Sequence, residues 1–274
     1  METVQIFTAN PRSLGLPAVA GAPAVAGKRP IGRALADDEV AGWRADVVRL
    51  GFARTVSHDS YLINLASPDE SNWQRSIDAF TEELRRCQAL GISYLVMHPG
   101  AHVGSGEEAG LAKIVAALDR AHAAAPDGGV LTCLEITAGQ GTNLGYRLEQ
   151  LEEIIAGVKD DSRLGVCLDT AHLFAAGYDF RGMKYDAFRK QIEKRIGLRR
   201  VKVWHLNDSK KELGSRVDRH DHIGEGTIGL AGFAPIVQDP AWKNVPKILE
   251  TPKEEAPDGR DWDAVNLERL RGLV

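Results

Sequence analysis

Residues 203–210 read Val-Trp-His-Leu-Asn-Asp-Ser-Lys, and residues 214–226 read Gly-Ser-Arg-Val-Asp-Arg-His-Asp-His-Ile-Gly-Glu-Gly. A β-branched and aromatic run opens here onto a loop carrying His205, Asp208, Asp218, His220 and His222. Imidazole nitrogens and carboxylate oxygens are the donors that zinc-like cations take, and their density just past a strand predicts a metal site. Asp218 and His220 differ by two positions, so in extended backbone both side chains leave on the same side.

Working outward, the same unit recurs. Strands are predicted over 4–7, 52–57, 92–97, 130–136, 164–168, 201–206 and 247–249. Helices are predicted over 37–50, 69–90, 107–125, 147–158, 185–196, 230–237 and 263–270. Strand, loop and helix in alternation demand a parallel sheet, because parallel neighbours need a crossover connection. His58, His98, Glu135, Asp169, His205 and Glu250 each fall at or just beyond the end of a different strand. An open sheet would spread those ends along a line, whereas a (β/α) barrel converges them on one axis. The expected fold is therefore an α/β, TIM-type barrel of one domain over 1–274. Asp169 and His172, three apart, share a side if the turn after their strand is helical.

At 274 residues the chain suits one such barrel. With 43% hydrophobic and 26% charged residues it has an ordinary globular composition, no apolar run long enough for a bilayer and no secretory pattern at its start. Cys87, Cys133 and Cys167 are far apart and form no C-x-x-C pair, which points to a reducing, cytoplasmic compartment and to buried thiols rather than disulfides. Pro17-Ala18-Val19-Ala20-Gly21 recurs as Pro23-Ala24-Val25-Ala26-Gly27, so 15–34 is expected to be a flexible inserted loop. The net charge of −4 argues against a polyanionic partner until the metals are counted. Three divalent ions would bring it to about +2, with the added charge in one cleft.

The segments HDSYLINLASP (58–68), HPGAH (98–102), LEITAGQGTNLG (134–145), GVCLDTAHLFAAGYD (165–179), HLNDSK (205–210), GSRVDRHDHIGEG (214–226) and ILET (248–251) carry a family resemblance. The chain resembles endonuclease IV, the zinc-dependent apurinic/apyrimidinic endonucleases of base-excision repair. The resemblance implies three Zn2+ ions, with Mn2+ or Fe2+ as substitutes in some positions. His58, His98 and Glu135 would hold one ion. Glu135 would bridge to a second, held also by Asp169, His205 and Glu250, and His172, Asp218 and His220 would hold the third. Glu135 and Glu250 are then the catalytic carboxylates, through the ions they hold. The implied partner is double-stranded DNA with abasic or 3′-blocked damage, met by a monomer without a membrane. Arg12, Tyr61 and Leu62 would enter the base stack, and Arg216 and Arg219, beside Asp218, would meet phosphate. His102, His122 and His222 stay outside the ligand set.

One departure from the family pattern stands out. The first strand and helix of the family, with a segment like Gly-Ala-His-Val-Ser, have no match before Val4, so seven barrel strands are expected. Two rival readings follow, a xylose-isomerase-like sugar isomerase or epimerase and a truncated, inactive binder of damaged DNA. The isomerase requires Glu135, Asp169, His205 and Glu250, but not His58-Asp59-Ser60-Tyr61 or the Asp218/His220 pair.

Overall fold

The structure, a computed structural model, describes residues 3–14, 34–126 and 128–274. The inserted segment expected over 15–34 lies outside these residues but for Ala34. The chain divides into two compact units, Met1–Cys133 with Ile154–Leu164, and Leu134–Glu153 with Gly165–Val274.

In the first unit β1 (Thr3–Ile6), β2 (Arg54–His58) and β3 (Tyr94–Met97) lie side by side in chain order. Pairing is parallel, from Thr3 opposite Arg54 to Ile6 opposite Ser57, and from Val56 opposite Tyr94 to His58 opposite Val96. The Leu131 N–H donates to Ser93 O at 3.0 Å and brings in the start of β4 (Leu131–Glu135). The crossovers are α1 (Asp37–Leu50), α2 (Glu70–Leu90) and α3 (Glu107–Ala124). The Asp69 carboxylate caps α2 by accepting from the Asn72 N–H, and Gly91 stops the helix in the left-handed conformation that glycine adopts without cost. Trp73, Ile77, Phe80, Leu84 and Cys87 repeat every three or four positions and are all buried, which makes that stripe the face α2 packs inward.

In the second unit the end of β4, β5 (Leu164–Asp169), β6 (Val201–His205) and β9 (Lys247–Ile248) lie side by side in chain order. The Ile136 N–H donates to Cys167 O at 3.0 Å, Asp169 stands opposite His205, and His205 opposite Ile248. These registers carry ligand-type residues to adjacent strand ends. Helices α4 (Leu148–Gly157), α5 (Thr170–Ala176), α6 (Tyr185–Arg195), α7 (Leu230–Gln238) and α8 (Trp262–Arg271) intervene. The seven strands and the seven predicted helices are present, with no end displaced by more than two residues. Among the described residues no helix is long and apolar enough to cross a membrane, and all three cysteines are buried and outside any disulfide.

Two features exceed the sequence reading. The turn after β5 is a full helix, α5, capped by Asp169 itself through the His172 N–H at 2.7 Å. The loop after β6 is ordered by a small antiparallel pair, β7 (Asp208–Ser209) with β8 (His220–Asp221). Its organiser is Asp208, fully buried, whose carboxylate accepts from the backbone N–H groups of Ser209 (2.8 Å), Gly224 (2.9 Å), Ile228 (2.9 Å) and Gly229 (3.2 Å). The chain passes so near that a Cβ on Gly226 would stand 2.5 Å from both Asp208 Oδ1 and Ser209 O, so only glycine fits. Replacing Asp208 by alanine strands several buried donors and is expected to cost about 3 kcal/mol or more. Urea unfolding checks this, and a variant within about 1 kcal/mol of the parent contradicts it.

Candidate metal centre

Glu135 ends β4, Asp169 ends β5 and His205 ends β6, and all three are fully buried. Glu250 follows β9 two residues on. His205 Nδ1 lies 3.0 Å from Glu135 Oε1, 3.0 Å from Glu250 Oε2 and 3.9 Å from Asp169 Oδ2. Ligand atoms of these four residues all come within 4.8 Å of one another. A second group shares Asp169. His172, one turn into α5, places Nδ1 3.2 Å from Glu135 Oε1 and Nε2 3.2 Å from Asp218 Oδ2. His220 in β8 places Nε2 3.3 Å from Asp218 Oδ1 and 3.8 Å from Asp169 Oδ2. The structure thus brings together seven of the sequence-predicted ligands, including the Asp218/His220 pair that an isomerase site does not require.

These residues fit divalent cations. Buried carboxylates need a compensating positive charge, and here they face ring nitrogens at 3.0–3.3 Å that, once deprotonated, offer lone pairs to the same cation. The His220 Nε2 atom is buried without a hydrogen-bond partner, although it faces two carboxylates. Burial would push the His172 pKa down, but Asp169, Asp218 and Glu135 outweigh it and hold the ring well above the ordinary value of 6.5. His205 also stands well above that value, its burial outweighed by a hydrogen bond to the Cys167 sulfur and by the Glu250 and Glu135 carboxylates. In the metal-free protein, protons occupy ring nitrogens that a metal would take. Burial pushes the Cys167 thiol up to about 12, so its sulfur stays protonated behind the ligands.

In the first unit His58, the last residue of β2, and His98, just past β3, meet edge to face with ring centroids 5.3 Å apart. Asn64 braces the loop after His98: its Nδ2 donates to Ala101 O and its Oδ1 accepts from the Ala101 N–H, each at 2.9 Å. The expected DNA-contact residues of this unit share one region. The Tyr61 N–H and the Ser60 hydroxyl both donate to Pro11 O at 3.0 Å, which lays the loop of Arg12 against that of Tyr61. Tyr61 and Leu62, adjacent in the chain, are 58% and 55% exposed.

In the second unit Arg216 takes a positive φ of 53° and lays its guanidinium 4.2 Å over the Tyr146 ring. Arg219 Nη1 donates to Asp218 O at 2.6 Å, and the Asp218 N–H donates to Gln140 Oε1 at 2.9 Å. Of the histidines left outside the ligand set, His222 stacks on Trp262 at 3.9 Å, His122 meets the Thr132 hydroxyl at 3.0 Å, and His102 Nδ1 accepts from the Gly106 N–H at 3.1 Å. The sequence reading missed Asn207, which touches both Asp169 and the Glu250 backbone. Two-residue periodicity from His205 puts Asn207 on the ligand face and was the available signal.

The fold and the carboxylate-imidazole cluster define a class, the xylose isomerase-like TIM barrels, whose family pattern matches residues 9–271. Over 238 residues the chain is 50% identical to a protein of Chloroflexus aggregans described as "Probable endonuclease 4", covering 86% of this chain and 82% of that protein. A protein of Chloroflexus aurantiacus with the same description is 49% identical over 241 residues, covering 88% and 84%. The crystal structure of endonuclease IV from Thermus thermophilus aligns with a TM-score of 0.80 at 35% identity, covering 98% of this chain and 87% of that one. The chain therefore belongs to the endonuclease 4 family.

A ring whose folded pKa stands above its unfolded value stabilises the fold below the unfolded pKa, and that contribution is lost as pH rises through the folded pKa. Stripped of metal, the protein is expected to lose Tm as pH is raised above about 6.5, because the unfolded chain then gives up protons that folded His172 and His205 still hold, and the loss is complete once the folded rings titrate as well. Zinc-loaded protein should lack this decline, since metal takes the neutral rings and releases their protons. Differential scanning calorimetry of both forms decides, and a stripped protein whose Tm stays level or rises over that range contradicts the reading.

Proposed function

We propose that the protein is a metal-dependent endonuclease that hydrolyses duplex DNA on the 5′ side of an abasic site in base-excision repair. What carries this reading is that a chain 50% identical to a "Probable endonuclease 4" also assembles a buried carboxylate-imidazole cluster at its strand ends. The reaction adds water across the phosphodiester. A new P–O bond forms, the P–O3′ bond breaks, and the leaving oxygen takes a proton, giving a 3′-hydroxyl and a 5′-deoxyribose phosphate.

The proposed ligands are His58, His98 and Glu135 for one ion, Glu135, Asp169, His205 and Glu250 for a second, and His172, Asp218 and His220 for a third. Mixed imidazole and carboxylate donors suit zinc, with manganese or iron as substitutes. When bound, such ions supply Lewis acidity that lowers the pKa of water and offsets charge growing on phosphate oxygens. The chain's own residues orient the substrate. Arg219, fixed through Asp218 O, and Arg216, braced on Tyr146, present guanidinium groups to phosphate beside the ligand Asp218. Exposed Tyr61 and Leu62, backed by the Arg12 loop, enter the stack where a base is missing and unstacking costs least. Blocked 3′ ends offer the same phosphate and are proposed as further substrates. The protein works as a monomer in the cytoplasm.

Incubated with a duplex holding one abasic site, the zinc-loaded protein is expected to cut on the 5′ side, and a chelator should abolish cutting until zinc is restored. Glu250→Gln should lower single-turnover incision by more than roughly 100-fold with the fold intact, and full activity in that variant contradicts the assignment. Tyr61→Ala should reduce the preference for abasic over intact duplex in competitive binding, and an unchanged affinity ratio removes Tyr61 from lesion recognition.

A further inference from the structure

Asn207 lies two residues beyond His205 and is fully buried. Both ends of its side-chain amide are used on elements that carry ligands. Its Nδ2 donates to Asp169 Oδ2 at 2.6 Å, and its Oδ1 accepts from the Glu250 N–H at 2.7 Å. These partners fix which end is nitrogen, because a backbone N–H only donates and an ionised carboxylate only accepts. Asn207 is itself pinned by Thr170 at the start of α5. The Asn207 N–H donates to Thr170 Oγ1 at 2.8 Å, and that hydroxyl donates to Asn207 O at 2.7 Å. One neutral amide therefore ties the ends of β5 and β6 to the backbone that bears Glu250.

The consequence falls on Asp169. Its Oδ1 accepts from the His172 N–H at 2.7 Å and its Oδ2 from Asn207, so donors on both oxygens stop the carboxylate rotating. Each oxygen keeps lone-pair capacity toward His205 and His220, whose ring nitrogens lie 3.9 Å and 3.8 Å from Oδ2. An amide suits this task because it orients the carboxylate without neutralising it. Lysine or arginine at this point would compete with a cation, and a carboxylate would repel Asp169. We propose that Asn207 is a positioning residue that sets Asp169 and Glu250 for the metal they share, an inference that rests on the metal-dependent reading above.

The test is zinc affinity measured by competition with a chromophoric chelator, on native protein and on Asn207→Ala and Asn207→Asp, with circular dichroism of the metal-free forms as the check on folding. With the fold retained, one class of zinc site is expected to weaken by roughly 10- to 100-fold in either variant while another class keeps its native affinity. Native affinity for every class in both folded variants overturns the role of Asn207 and leaves the metal reading standing. A native protein that takes up no zinc overturns both. If neither Asn207 variant folds, Thr170→Val decides, because it removes the hydroxyl that pins Asn207 and leaves the amide in place. The same class should then weaken by a smaller factor, and an unchanged affinity overturns the proposal.

Discussion

Everything at the strand ends depends on the compensation of two carboxylates, Glu135 and Asp169, neither of which has any exposure to solvent. An ionised carboxylate taken out of water must be met by positive charge and hydrogen-bond donors or it will not stay ionised. His205 and His172 approach Glu135 at 3.0 Å and 3.2 Å, and His205, His172 and His220 surround Asp169 at 3.8–3.9 Å. This arrangement demands accurate register. Asp169 stands opposite His205 in the sheet, and a slip of one residue in β6 would turn His205 to the other face and leave the carboxylates facing one another.

Asp208 shows the other way to bury a carboxylate. Four backbone N–H groups converge on it, so the protein itself satisfies the charge and the residue serves the fold of its loop. Asp169 accepts from the His172 N–H and the Asn207 amide, and its further capacity is directed at imidazoles. Two aspartates in similar burial thus do different work, and the difference lies in how many backbone donors the chain gives each. The loop that Asp208 holds is the one that presents Asp218 and His220, so a structural carboxylate sets the place of two of the proposed metal ligands.

Much of this was legible in the sequence, because strand ends and helix stops are local. The β-branched run before His205, the Asp69 cap and the Gly51 and Gly91 stops place their elements within one residue. Ligand types at successive strand ends were likewise visible once the strands were drawn. What was not legible depends on partners remote in sequence. Asn207 meets Asp169 and Glu250 across separations of 38 and 43 residues, and although period two from His205 puts it on the ligand face, no local pattern names those partners. The β7 and β8 pair was missed because each strand has only two residues and is held by the Asp208 carboxylate rather than by apolar alternation. Arg216 on Tyr146 is of the same kind, a stacking contact between distant loops.

The central claim is that this cluster exists to hold metal for phosphodiester hydrolysis. Its most direct test is a crystal structure of the zinc-loaded protein with anomalous data on both sides of the zinc absorption edge. Three zinc peaks are expected, one contacted by Asp169, His205 and Glu250, one by His172, Asp218 and His220, and one by His58 and His98, with Glu135 contacting two of them. A structure with no zinc among these side chains, or with zinc only on surface residues elsewhere, would contradict it.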